Sequence, residues 1–261
     1  MTAVGLLSIE GLTKRFGGMT AVNDASFTVQ PGSMHGLIGP NGSGKTTIFN
    51  LISGVYRPDG GEITFEGHTI SGVPAQRVTH LGIARTFQNL RLFKTMSVLE
   101  NVLVGSGGSP RGRDITFPWD PYLCPWRERA AETNMRTEAM ALLAQFQLAD
   151  LANTLAISLP YGKQRRVEIA RALATKPHLL LLDEPAAGLN ADETRELEET
   201  LTRLVAGGLT ILMIEHDMRL VMGVCQWVTV LDQGKLIADG TPDMVRSNEH
   251  VLAAYLGKEE D

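Results

Sequence analysis

The stretch Gly39-Pro40-Asn41-Gly42-Ser43-Gly44-Lys45-Thr46 fits the pattern G-x-x-x-x-G-K-[ST] at every fixed position. An apolar run before it, Met34 to Ile38, reads as a strand. Gly44 to Ile52 reads as the helix after it, with Gly54 as the C-terminal cap. Glycine at 39, 42 and 44 lets backbone N–H groups converge on an anion at the start of a helix, where the dipole favours negative charge. A strand–loop–helix of this kind cradles the phosphates of a nucleoside triphosphate. Lys45 is expected to reach the β- and γ-phosphates and the Thr46 hydroxyl to ligate Mg²⁺.

A second run narrows the chemistry. Leu179 to Leu182 are four apolar residues of a central buried strand, followed by Asp183-Glu184-Pro185. Asp183 falls at the C-terminal end of that strand, where ligands bind in open α/β sheets, and is placed to hold Mg²⁺ through water. Glu184 can accept a proton from an attacking water.

Outward from these two motifs, Leu6–Glu10, Ala25–Val29 and Glu62–Phe65 read as strands. Val98–Val104 reads as a short helix with Ser97 and Glu100 at capping-box spacing. Residues 105–126 lose all periodicity and read as a long loop, rich in glycine at first and in aromatics and proline later. Glu128–Leu148 is expected to be an amphipathic helix, with Met135, Ala139, Leu142 and Phe146 on one face. Beyond it come a helix at Gly162–Ala174, a strand at His178–Leu182, a helix at Asp192–Leu204, a strand at Thr210–Ile214 and a helix at Met218–Met222. Trp227–Leu231 and Lys235–Ala238 flank a hairpin turn at Asp232-Gln233-Gly234.

The 261 residues are 43% hydrophobic and 20% charged with a net charge of −5, an ordinary globular composition whose acidic balance argues against nucleic-acid binding. No run of about 18 apolar residues is present to cross a membrane. Met1–Glu10 lacks the basic start and apolar stretch of a signal peptide. Two cysteines, Cys124 and Cys225, have no metal-type spacing. The expectation is a cytoplasmic protein. Phe117, Trp119, Tyr122 and Trp126 are expected to anchor the long loop, with a docking patch as the alternative.

Leu159-Pro160-Tyr161-Gly162-Lys163 and the helix that follows resemble the Leu-Ser-Gly-Gly-Gln signature of ABC transporter ATP-binding subunits. The resemblance covers nearly the whole chain. Gln88 stands at the Q-loop position, His216 at the switch-histidine position, and Phe16 resembles the aromatic residue that stacks on adenine. Gly82–Asn89, the Pro-Tyr-Gly signature and Ala254–Gly257 look like the branched-chain amino acid uptake class, and within it the larger of two ATPase subunits.

The resemblance implies an α/β fold: a P-loop NTPase (RecA-like) core with an N-terminal antiparallel β portion and a helical insertion. As one domain over 1–261, it would divide into 1–88 and 162–240 for the β portion and core, 89–161 for the insertion, and 241–261 for a C-terminal helical extension. It implies ATP and Mg²⁺ as ligands, with Gly39 to Thr47 and Phe16 binding ATP, and Thr46, Gln88 and Asp183 around the metal. Glu184, His216 and Gln88 would be catalytic, while Leu159 to Lys163 would face a partner's ATP in a head-to-tail dimer. The implied partners are integral membrane permease subunits, a second ATPase subunit (heterodimer, or homodimer as the alternative) and, indirectly, a periplasmic or extracellular substrate-binding protein. The implied location is the inner face of the cell membrane. Other readings are a soluble ATPase of an assembly or regulatory complex, an importer of urea or short amides, and a small-molecule kinase.

The chain departs from the signature at three places. Pro160 replaces serine and removes a hydroxyl and a backbone N–H; Tyr161 replaces glycine and Lys163 glutamine. Asn190 stands where aspartate is usual. This chain's own P-loop site is therefore expected to be catalytic beside a partner with an intact signature. The alternative is that Tyr161 and Lys163 compensate, Lys163 bringing charge near phosphate.

Overall fold

The computed structural model describes residues 5–88, 90–107 and 125–256, with backbone alone for 107, 125–131 and 256. In chain order the first half comprises β1 (Leu7–Phe16), β2 (Met19–Val29), β3 (Met34–Ile38), α1 (Lys45–Ile52), β4 (Gly60–Phe65), β5 (His68–Thr69), α2 (Ala75–His80), β6 (Ile83–Arg85) and α3 (Val98–Gly107). The second half comprises α4 (Pro125–Gln145), α5 (Tyr161–Leu173), β7 (Leu179–Asp183), α6 (Ala191–Ala206), β8 (Thr210–Ile214) and α7 (Met218–Val224). It closes with β9 (Trp227–Asp232), β10 (Lys235–Gly240), α8 (Pro242–Arg246) and α9 (Glu249–Leu256).

Two sheets result. A six-stranded sheet in the order β10-β9-β3-β8-β7-β6 is parallel except for its edge hairpin β9–β10; a four-stranded antiparallel sheet runs β2-β1-β4-β5. Strands β3, β7 and β8 are buried at every residue, which is why they read as mostly apolar rather than alternating, with polar breaks only at His35 inside β3 and at the strand ends Asp183 and Thr210. Alternation decides which core each side chain enters. Leu180, Leu182, Ile211 and Met213 join a core with helices α3 to α7. Leu179, Leu181, Leu212 and Ile214 join a second core with α1 and the inward face of β1, β2 and β4. The parallel strands thus end together, and the loops after β3, β7 and β8 emerge at one edge of the sheet.

Three expectations are corrected. The strand expected from Ala25 begins at Met19, because β1 and β2 form a long hairpin whose outer half, Lys14 to Thr20, is too polar to betray it. The helix expected to stop at Val104 runs to Gly107, so the long loop does not begin at 105. Gly105 serves close packing: a Cβ there would stand 2.2 Å from the Arg171 carbonyl oxygen, so only glycine lets α3 approach α5 this closely. The helix expected over 128–148 is Pro125–Gln145, ended by Gln147 in the left-handed region (φ 57°) and by the Leu148 N–H turning back to Leu143 O at 2.8 Å. Phe117, Trp119 and Tyr122, and the side chain of Trp126, lie outside the described residues.

Candidate functional site

The loop after β3 is built on three glycines with left-handed backbone: Gly39 (φ 146°), Gly42 (φ 79°) and Gly44 (φ 107°). A Cβ on Gly39 would lie 2.0 Å from Leu231 O and one on Gly44 2.5 Å from Ala21 O, whereas Gly42 faces open space. The loop is therefore clamped at both ends and open at its crest, with Asn41, Gly42 and Thr46 exposed. It is also propped from outside: the Gly234 N–H in the β9–β10 turn donates to Ser43 O (2.9 Å), and Asn23 N–H donates to Gly234 O (2.8 Å). Lys45 opens α1 and is 5% exposed, its Nζ donating to Gly39 O (2.7 Å) and Pro40 O (2.8 Å). A buried ammonium held inside a concave loop at a helix N-terminus fits a polyphosphate.

Asp183 ends β7 almost fully buried, and its Oδ2 accepts from Arg85 Nη2 at 3.0 Å. The other Arg85 Nη donates to Asn50 Oδ1 (2.7 Å) and Ser53 Oγ (3.0 Å), so this arginine ties α1 to the end of β7. The next residue, Glu184, sits at φ 48°, a left-handed conformation that costs a non-glycine residue energy and recurs where side chains are aimed for function. Its carboxylate lies between two other motifs: Gln88 Nε2 donates to Oε2 at 2.9 Å, and His216 Nε2 stands 2.9 Å from Oε1. Residues 88, 184 and 216, expected separately, are thus joined directly.

Glu215 supports this group from behind. Its carboxylate accepts from Ala186 N–H (2.8 Å) and His216 N–H (3.1 Å). Burial pushes its carboxyl above the ordinary value, backbone N–H groups of Ala186, His216 and Asp217 pull it back down, and the Glu184 charge pushes it up again.

Phe16 is partly exposed at the tip of β1, its ring edge-on to Tyr56 at 5.2 Å between centroids, with Lys14 Nζ 5.4 Å from its centre. The half-exposed Phe16 ring, braced at its edge by Tyr56, offers one aromatic face on which a purine can stack. Leu159 to Lys163 lie at the start of α5, where Pro160 is the N-cap residue and its carbonyl accepts from Gln164 N–H (3.0 Å). Tyr161 covers Gly188, and Gly162 abuts the Glu193 carboxylate, which with Asn190 forms a capping box on α6. Arg166 pairs with Glu196 across the same two helices.

Reading the sequence assigned no part to Arg85, Glu215, Tyr56 or Arg165. Only Arg165 left a trace, as one of an opposite-charge pair at i,i+3 with Glu168, in register with the apolar Ala172.

A family profile described as "ABC transporter" matches residues 22–187. The chain is 44% identical over 254 residues to the high-affinity branched-chain amino acid transport ATP-binding protein LivG of Escherichia coli K12, spanning 97% of this chain and 98% of that one. The chain belongs to the ABC transporter family. As an ABC transporter ATP-binding subunit it binds nucleotide, and its activity is ATP hydrolysis coupled to transport. A shorter profile, described as "Branched-chain amino acid ATP-binding cassette transporter", matches this ABC subunit at residues 235–261. The BraF protein of Pseudomonas aeruginosa, also named for branched-chain amino acid transport, is 43% identical over 97% of this chain and 98% of its own. Among solved structures, the ADP conformation of an ATP-binding cassette of an ABC transporter matches with TM-score 0.84 at 33% identity, covering 98% of this chain and 100% of that one. No helix among the described residues is long and apolar enough to cross a membrane.

Proposed function

We propose that this chain powers an importer of branched-chain amino acids, and that its own P-loop, Asp183, Glu184, Gln88 and His216 form a hydrolytically competent half-site. The observation that carries this is the Glu184 carboxylate held between Gln88 and His216 one residue after the buried Asp183. The likeness to LivG and BraF and the profile over 235–261 support the cargo.

In this reading the loop and the first turn of α1, Gly39 to Thr47 with Lys45 among them, bind the phosphates, and adenine stacks on Phe16 beside Tyr56. Thr46, Asp183 and Gln88 would hold Mg²⁺; hard oxygen donors from a hydroxyl, a carboxylate and an amide suit that ion, which keeps phosphate oxygens in its shell. When bound, Mg²⁺ supplies positive charge to the phosphoryl oxygens. Glu184 takes a proton from the attacking water, Gln88 orients that carboxylate, and His216 contacts the γ-phosphate. Catalysis is positioning and charge stabilisation, with no covalent intermediate on the chain.

The altered signature, Leu159 to Lys163, faces the nucleotide of a second ATPase subunit in a head-to-tail dimer, so its lost serine hydroxyl weakens the partner's site rather than this one. Exposed Phe93, Met96, Leu155 and Ile157 cluster where Ala156 N–H donates to Met96 O (3.0 Å), and this apolar patch suits permease subunits. The chain then works on the inner face of the membrane, with a substrate-binding protein delivering cargo from the other side.

The test is the assembled transporter in liposomes. Binding protein loaded with leucine, isoleucine or valine should stimulate ATP hydrolysis and uptake, and Glu184→Gln should abolish both. Stimulation by urea or short amides alone would overturn the cargo, and hydrolysis surviving Glu184→Gln would overturn the half-site.

A further inference from the structure

Arg165 is among the largest fully buried side chains of the molecule, yet it makes its contacts with polar atoms. Its Nη1 donates to Phe87 O (2.7 Å) and Glu168 Oε2 (2.9 Å); its Nη2 donates to Glu184 O (2.7 Å) and Gln88 O (3.2 Å). Four Nη hydrogens therefore meet four acceptors drawn from three segments. A buried ion pair is a poor device for stability alone, since apolar residues of similar volume often do as well or better. This one gathers backbone from either side of the Glu184 site.

The contacts close a ring. Arg165 holds the Gln88 carbonyl, the Gln88 side chain holds the Glu184 carboxylate, and Arg165 holds the Glu184 carbonyl. Glu184 is strained at φ 48°, and its own N–H is fixed by Ile214 O at 2.9 Å, so the peptide groups on both sides of it are pinned. One turn along the same helix, Glu168 Oε1 accepts from Arg91 N–H (3.3 Å), and a further turn on Arg171 stands 5.7 Å from the Phe93 ring centre. Residues 165, 168 and 171, three apart, thus hold Phe87, Gln88, Arg91 and Phe93 along one helix face.

We propose that Arg165 is a positioning residue for hydrolysis: from within the helix that begins at the signature, it fixes Gln88 and Glu184 so that both follow that helix. The inference rests on the roles proposed above for Glu184 and Gln88. Tyr161 and Gly162 begin the helix barely one turn before Arg165. A displacement of that end by the neighbouring subunit's nucleotide is then passed through one guanidinium to this chain's own glutamate, and through Glu168 and Arg171 to the apolar segment ending at Phe93.

The experiment uses the assembled transporter in liposomes, with kcat, KM for ATP and thermal stability measured for two variants. Arg165→Met combined with Glu168→Leu removes both charges of the buried pair, and with them the 3.9 Å contact of Glu168 to Arg171; Arg165→Lys keeps every charge but cannot span three carbonyls. The expected result is kcat lowered about 10- to 100-fold in the double variant with KM within about 2-fold, and a partial recovery in Arg165→Lys, since an ångström of misplacement costs rates of this order. A purely structural role would lower stability and leave that kcat–KM split unseen. A folded double variant with unchanged kcat overturns the proposal; if the double variant does not assemble, unchanged kcat in Arg165→Lys overturns it and lowered kcat with KM kept supports it. Glu184→Gln, run in parallel, separates the two readings. Hydrolysis that survives it overturns both, whereas its loss beside fully active Arg165 variants overturns only the role of Arg165.

Discussion

Replacing Arg85 by glutamine removes one half of a buried ion pair at the end of β7. Arg85 Nη2 and Asp183 Oδ2 are 3.0 Å apart, with side chains only 9% and 5% exposed. At an effective dielectric of about 20, that separation corresponds to roughly 5–6 kcal/mol of attraction, most of it offset by the cost of taking both charges out of water. What decides the outcome is the carboxylate left behind, which costs about 3–5 kcal/mol when its partner is removed. For a chain of this size about 2–4 °C is lost per kcal/mol, so the nucleotide-free variant should melt roughly 6–20 °C lower. If Asp183 takes Mg²⁺, a saturating Mg²⁺–nucleotide complex supplies the missing charge and the gap should shrink. Neutralising both groups, Arg85→Gln with Asp183→Asn, should recover much of the nucleotide-free loss but none of the Mg²⁺-dependent part. The assay is thermal unfolding followed by near-ultraviolet circular dichroism, with and without Mg²⁺ and a slowly hydrolysed ATP analogue. An equal deficit in both conditions, or a double variant no more stable than the single one, would refute the reasoning.

Burial pushes the His35 imidazole down to about 3, below its unfolded value of 6.5; the unfolded chain therefore binds a proton the folded one refuses, and stability should fall as pH drops from 6.5 towards 3, by about 2 kcal/mol at pH 5. Denaturant titrations of His35→Phe should lack that part of the slope. Gly44→Ala places a Cβ 2.5 Å from Ala21 O at φ 107°, so nucleotide affinity measured by calorimetry should be lost along with about 2 kcal/mol or more of stability. Asn190→Ala removes the side-chain acceptor for Glu193 N–H (2.9 Å) and should cost about 1 kcal/mol in denaturant titration with little change in KM for ATP.

The features legible in the sequence share one property: their meaning is local. The phosphate loop announces itself because three glycines, a lysine and a helix start fall within eight residues, and Asp183-Glu184 because a fully apolar strand delivers them. Gln88, Phe16 and His216 carry no local signal of that strength and were reached through resemblance. Arg85 and Glu215 were beyond either route, and Arg165 showed only its i,i+3 pairing with Glu168. Arg85 meets Asp183 from 98 positions away and Arg165 meets Phe87 from 78, so only the fold makes either pair. Gly105 misled for a related reason: glycine in sequence suggests a loop, but here its missing side chain is what lets two helices touch. The outer half of the β1–β2 hairpin was missed because exposed strand residues need not be apolar.

The turn at Gln233-Gly234 has a practical bearing on where this chain can be cut. The profile that marks it as an ABC subunit ends at residue 187, and a fragment ending there would keep every residue of the phosphate loop and the Asp183-Glu184 pair. It would lose Leu231, against which Gly39 is packed, and Gly234, whose N–H props Ser43. Split-protein reassembly gives this a direct readout: a piece covering residues 1–208 should take up nucleotide only when the piece covering 209–261 is supplied, although the whole phosphate loop and the Asp183-Glu184 pair lie in the first piece.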